Sequence, residues 1–158
     1  MFREMRRQNQ ALSMDECIAV LTEEKRGVLS VIGDEGYPYG LPIDHYYDSE
    51  DGKIYFHSGK VGHRVDAMKA CNKASFCVYK NVGNDPDSWV LNFHCVHVFG
   101  TIELIEDIDR IEKICRDISH KFTDDEQYID DEVKQALKAT LCFALTPEQI
   151  TGKKIHET

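Results

Sequence analysis

No apolar stretch in this chain approaches the ~20 residues that a membrane-spanning helix needs. The N-terminus, MFREMRRQNQ, is polar and basic and lacks the apolar centre of a secretory signal. There is no CxxC pair among the six cysteines, most of which sit inside apolar runs. Reduced thiols in a soluble cytoplasmic protein are therefore expected, rather than three disulfides. Positive charge is scarce too: 19 Lys and Arg stand against 28 Asp and Glu, a net charge of −9. That argues against nucleic-acid and membrane partners, since both require a basic face. The motifs GxxxxGK[ST], GxGxxG, HExxH and CxxC…CxxC are all absent, which removes the P-loop, the dinucleotide fingerprint and the common zinc sites. Repeats and low-complexity tracts are absent as well, so residues 1–158 are read as one domain with residues 1–12 as an N-terminal arm.

What the chain does have is a local exception to its acidity. Tyr55 to Arg64, YFHSGKVGHR, closes a strand at Ser58, passes through Gly59, Lys60 and Gly62, and opens a helical pattern at His63 and Arg64. A hydroxyl, an ammonium, an imidazole, a guanidinium and two glycines in so short a span suit a phosphate. Arg grips it bidentately, Lys adds a point charge, and amides at a helix start add donors and a favourable dipole. The segment predicts a small phosphorylated cofactor.

The remaining pattern is mostly β. Ser13-Met14-Asp15-Glu16 has the form of a capping box and starts a helix of about 14–24. GVLSVIG (27–33) reads as a buried strand, YGLPIDHYYD (39–48) as its hairpin partner, and KIYFHS (53–58) as the next strand. Pro42 confines the second of these to a sheet edge, a bulge or a strand start. A helix from His63 to Cys71, a strand at 73–81 and a VGNDPD loop follow. A long β run from Trp89 to Ile105 has Gly100 as its bulge, and an amphipathic helix covers about 107–122. TDDEQYIDDE reads as an acidic connector to a short helix and a last strand, 139–147. Five or six strands joined by hairpins predict a mainly β (α+β) antiparallel split barrel with peripheral helices.

Other chemistry has weaker support. His94 and His97 fall on opposite faces of a strand and cannot chelate together; Cys95 and His97 share a face, but a third ligand at useful spacing is missing, so no metal site is expected. In LPIDHYYD, Leu41, Ile43, His45 and Tyr47 share one face and Pro42, Asp44 and Tyr46 the other. That is either a core face with one polar residue or an irregular backbone free to bond a flat heterocycle.

The order of these pieces resembles the flavin-binding split-barrel superfamily of pyridoxamine 5′-phosphate oxidase-like proteins, and within it the nitroimidazole-resistance branch. The pieces that match are FREMRRQ (2–8), GVLSVIGDEGYPYGLPIDHYYD (27–48), GKIYFHSGKVGHRVDAMK (52–69), KASFCVY (73–79), VFGTIELIED (98–107) and ITGKK (150–154). The resemblance implies FMN at a homodimer interface. The backbone around Leu41, Pro42, Ile43 and Asp44 would lie along the isoalloxazine. His57 and Ser58 would approach the flavin or its ribityl chain, and Lys60, His63 and Arg64 the phosphate. Asn92, Phe93 and His94 would come from the second subunit. His94-Cys95 stands where relatives usually carry Arg-Ser, which exchanges a fixed cation for a titratable ring. His94 is the candidate substrate contact, because an imidazole can donate a proton near neutral pH. The implied activity is NAD(P)H-linked reduction of a small acceptor such as a nitro compound. Two alternatives stand beside it: a flavin-binding protein without turnover, and a split barrel holding haem or pyridoxal phosphate through His57 or His63.

Overall fold

The computed structural model describes residues 1–83, 89–90 and 92–156. Helix α1 (Met14–Glu23) starts where the sequence places it. The Ser13 hydroxyl accepts from the Glu16 N–H while the Glu16 carboxylate accepts from the Ser13 N–H. Its inward face buries Cys17, Val20 and Leu21.

Seven strands form one antiparallel sheet: β1 (Arg26–Ile32), β2 (Pro38–Asp44), β3 (Tyr46–Tyr47), β4 (Ile54–Gly59), β5 (Lys73–Asn81), β6 (Asn92–Ile105) and β7 (Thr140–His156). Their spatial order is β2-β1-β5-β6-β7-β4-β3. The edge strands β2 and β3 are separated in sequence by His45 alone, so the sheet curls into a split barrel with its seam at that residue. Helices α2 (His63–Ala70), α3 (Ile108–His120) and α4 (Glu126–Ala136) lie outside the sheet's ladders.

Alternation along the strands builds the core. Phe56, Phe76 and Phe143 are fully buried, with Phe56 edge-on to Phe76 at 5.2 Å and stacked on Phe143 at 5.1 Å between ring centroids. Such ring pairs add about 0.5–1.5 kcal/mol each beyond the area they bury. A second cluster joins α3, through Ile111, Ile114 and Ile118, to Tyr55, Cys142 and Ala144.

Several sequence expectations need correction. The strand expected over 39–48 is broken at His45, so its last part pairs with β4 rather than β1. This raises the strand count to seven. Pro42 does mark an edge strand, and Gly100 does sit at a register shift between β6 and β7. A Cβ on Gly100 would lie 2.2 Å from the Thr146 carbonyl oxygen, so the two backbones approach too closely for any side chain.

The long β run begins at Asn92, and Trp89 is exposed outside it. Most of the acidic connector is helix: Asp125 caps α4 by accepting from the Tyr128 N–H, and Ile129 and Val133 are buried beneath it. The last strand runs on to His156 rather than stopping at 147, because its second half pairs with the first half of β6. Leu12 belongs to the core, not to a free arm. Residues 84–87 of the VGNDPD loop lie outside the described residues.

Candidate functional site

β4 ends at Gly59, and the chain turns through Lys60, Val61 and Gly62 into α2. Gly62 precedes the helix with φ 127°, a conformation that an L side chain rarely adopts, and no side chain caps the helix start. The Val65 N–H turns back to the Gly62 carbonyl at 2.9 Å, and the amides of His63 and Arg64 precede the first intrahelical hydrogen bond.

Arg64 leaves this first turn into a recess of about 190 Å³ lined by Tyr39, Leu41, Ser58, Gly59, Gly62 and His63, among others. Its Nε is buried and has no hydrogen-bond partner among the described residues. Burial pulls the guanidinium below its ordinary pKa, and no carboxylate among the described residues pairs with it to oppose this. A half-buried cation with an unsatisfied donor beside uncapped amides fits an anionic group such as a phosphate. The volume fits one too, since whole ligands usually occupy pockets of about 300–1,000 Å³.

The other expected residues divide around this recess. The His63 ring stacks on Tyr39 at 4.2 Å and accepts from the Asp34 N–H at 3.3 Å, so it fastens the β1–β2 turn to α2 as it borders the recess. The Ser58 hydroxyl donates to the Gly59 carbonyl at 2.9 Å. Lys60 is exposed and borders a neighbouring cavity that Lys69, Glu106 and Thr140 also line. Leu41 reaches the recess, Pro42 is exposed, and Ile43 is buried in the core. Asp44 is held by Arg26 across the β1–β2 ladder at 2.6 Å. Asp44 and His57 instead line a larger cavity of about 470 Å³ beneath α3 and α4. Of the two readings of 39–48, the core face holds for Ile43, His45 and Tyr47, all buried.

Asn92, Phe93 and His94 do not line the Arg64 recess of their own chain. His94 sits opposite Lys80 and Lys154 in the ladders. Both lysines reach back to α1, Lys80 to Glu23 and Lys154 to Glu16 at 2.9 Å, so His94 lies on the face that α1 borders. Asn92 Oδ1 is 2.7 Å from His156 Nδ1.

Phe93, Cys95, His97 and Phe99 alternate onto the opposite, outward face of β6. There Cys77 of β5 brings its Sγ to 3.7 Å from Cys95 Sγ and 3.6 Å from His97 Nε2. The neighbouring strand thus brings a third donor atom to the face that Cys95 and His97 share. Hydrogen bonds with Cys95 and then His97 pull the Cys77 thiol well below its ordinary pKa, while the same bond and burial push Cys95 up. Period-two alternation puts Cys77 and His97 on faces of adjacent strands, but only the observed register makes them the same face and opposite one another.

The sequence matches the family model for pyridoxamine 5′-phosphate oxidase over residues 13–154. None of the curated proteins compared matches it. Among solved structures, a conserved hypothetical protein of Mycobacterium tuberculosis superposes with a TM-score of 0.80 at 15% identity, over 96% of this chain and 90% of that one. A Bacteroides thetaiotaomicron protein assigned to 5-nitroimidazole antibiotic resistance gives 0.77 at 19% identity, over 92% and 87%. A FAD-binding protein of Mesorhizobium loti gives 0.65 at 24% identity, over 92% and 96%. These likenesses establish the split-barrel fold, and with the family match across nearly the whole sequence the chain belongs to the pyridoxamine 5′-phosphate oxidase family.

Proposed function

We propose that this protein is an FMN-dependent oxidoreductase, reducing a small acceptor such as a nitro compound with electrons from NAD(P)H. The observation that carries the reading is Arg64, whose buried Nε is unsatisfied beside the uncapped start of α2. The FAD-binding assignment of one structural neighbour supports a flavin in this fold, and the nitroimidazole-resistance assignment of another supports a nitro acceptor. FMN is preferred to FAD because the basic turn is short and runs at once into α2, beside a recess of only about 190 Å³.

Arg64 and the α2 amides would hold the phosphate, with Lys60 closing over it from its exposed loop. The Leu41–Asp44 backbone would lie along the ring system. When bound, the flavin supplies the two-electron chemistry, which agrees with the absence of any nucleophile motif. The protein contributes position, electrostatics and exclusion of water.

A recess this small leaves most of a flavin outside it, so a second copy would complete the site. Val28, Ile32, Tyr79 and Phe99 are exposed on the outward sheet face at 41%, 45%, 65% and 41%. Phe2 of the arm stacks on Phe99 at 5.8 Å. A face this apolar calls for a partner, and two-fold pairing would cover it while bringing the second copy's Asn92, Phe93 and His94 to the flavin. The His94 imidazole would then hold a proton for the substrate, in the place where relatives usually carry a permanent cation.

Release and mass analysis of the bound cofactor, followed by turnover assays with NADH or NADPH and a nitro acceptor, tests the reading. FMN with turnover is expected. FAD as the main species, haem, or FMN without turnover would each overturn the part of the reading it contradicts.

A further inference from the structure

The outward face of β5 and β6 carries three side chains that the flavin reading does not use. We propose that Cys77, Cys95 and His97 form a binding site for a thiophilic metal ion of the Zn²⁺ class, with its fourth coordination position open. Tetrahedral zinc, with bonds of about 2.3 Å to sulfur and 2.0–2.1 Å to nitrogen, places two sulfur ligands about 3.8 Å apart and a sulfur and a nitrogen about 3.6 Å apart. The structure has 3.7 Å between the two sulfurs and 3.6 Å between Cys77 Sγ and His97 Nε2. All three ligand atoms lie within 4.8 Å of one another. His97 is exposed, so its ring is free to turn and shorten the remaining edge.

The obvious rival is a disulfide, and the register opposes it. Cys77 is directly opposite His97, while Cys95 is opposite Tyr79, so the two cysteines are diagonal neighbours. Diagonal positions on adjacent strands lie about 7–8 Å apart at Cα, beyond the usual span of a disulfide. A metal ion tolerates that spacing because it is inserted between the sulfurs.

The donor set also selects among cations. Two sulfurs and an imidazole without a carboxylate do not suit Mg²⁺ or Ca²⁺, which take oxygen ligands. Two thiolates around one divalent ion leave no net charge, and Lys153 stands opposite Cys95 in β7. Three protein ligands leave the fourth place to water or an incoming donor. The site is on the sheet face away from α1, with Val28 opposite Cys77 and Tyr79 opposite Cys95, so in the homodimer proposed above it lies at the interface with its fourth position towards the second copy.

Co²⁺ titration of the reduced, chelator-treated full-length protein tests this. The expected result is a thiolate-to-cobalt charge-transfer band with the intense visible bands of a tetrahedral ion, saturating at one ion per chain and displaced by Zn²⁺. Cys77→Ser and Cys95→Ser should each remove the charge-transfer band, and His97→Ala should weaken binding at least about tenfold. Cys71→Ser and Cys115→Ser should change nothing. In the unmutated protein, Zn²⁺ should shield Cys77 and Cys95 from alkylation, read by mass spectrometry, so the test does not depend on variants folding. Cobalt binding without thiolate charge transfer, a spectrum that survives loss of both cysteines, or a Cys77–Cys95 disulfide in the Zn²⁺-treated protein would each overturn the proposal.

Discussion

His45 Nε2 lies 2.8 Å from the Leu21 carbonyl oxygen, a bond that ties the barrel seam to helix α1 at a fully buried ring. A carbonyl can only accept, so Nε2 carries the proton. Nδ1, on the other side of the ring, is buried with no partner among the described residues. Protonation would therefore place a charge with no acceptor in the core. Burial, and then the neighbouring Lys121 cation, lower the His45 pKa to about 4 from the ordinary 6.5.

Stability should accordingly depend on pH in a defined window. The folded-state pKa is depressed, so between about pH 6.5 and 4 the unfolded chain binds a proton that the native state refuses. The contribution is fully present above 6.5 and is lost as pH falls towards 4, amounting to about 3 kcal/mol. Urea unfolding at pH 7 and pH 5 should show about 2 kcal/mol of it. His45→Leu should cost stability at pH 7, because the Leu21 carbonyl loses its donor, yet should flatten this part of the acid slope.

Gly100→Ala should destabilise by about 3 kcal/mol, since the new methyl would drive into the Thr146 carbonyl with a Leu145 methyl 3.1 Å away. Denaturant midpoints report the loss. A change within experimental error would show that the β6–β7 bulge can open to admit a side chain.

Arg64→Ala combined with Lys60→Ala should weaken FMN binding by about 1.5–3 kcal/mol for each charge-assisted hydrogen bond removed. Flavin fluorescence titration reads this directly. Unchanged affinity in the double variant would place the phosphate elsewhere.

Tyr79→Glu with Phe99→Glu puts two charges on the exposed apolar face and should yield a monomer by sedimentation, with flavin retention reduced in parallel. A monomer that holds FMN as tightly as the parent would contradict a site completed by the second copy.

His94→Ala should leave the fold and assembly intact while changing the rate with acceptor. His94→Arg should shift acceptor preference towards anionic or nitro-bearing molecules, because a permanent cation stabilises developing negative charge without a proton. The pH profile of turnover separates a chemical role from packing, since only the former loses an inflection in both variants.

What is legible in the sequence is mostly local. The Ser13–Glu16 cap, the edge placement of Pro42, the bulge at Gly100 and the glycine-flanked turn into the helix at His63 each depend on residues close together in the chain. Helix α4 is hard to read because its surface is a run of carboxylates and only Ile129 and Val133, four residues apart, show its buried side. The meeting of Cys77 with His97 depends on strand register, which no local pattern specifies. Likewise, the separation of His94 from Arg64 within one chain follows from the topology, and the spacing between them in sequence gives no hint of it.

The order of the strands also bears on how the molecule folds. β2 and β3 are neighbours in sequence, yet the hydrogen-bonded route from one to the other crosses β1, β5, β6, β7 and β4. The edges at His45 come into place only after the distant ladders between β6 and β7 and between β7 and β4 have formed. Those ladders close long loops whose entropy must be met before their contacts form, which slows folding. Seam closure is thus expected late on the folding pathway, with α1, anchored there through Leu21, docking alongside it.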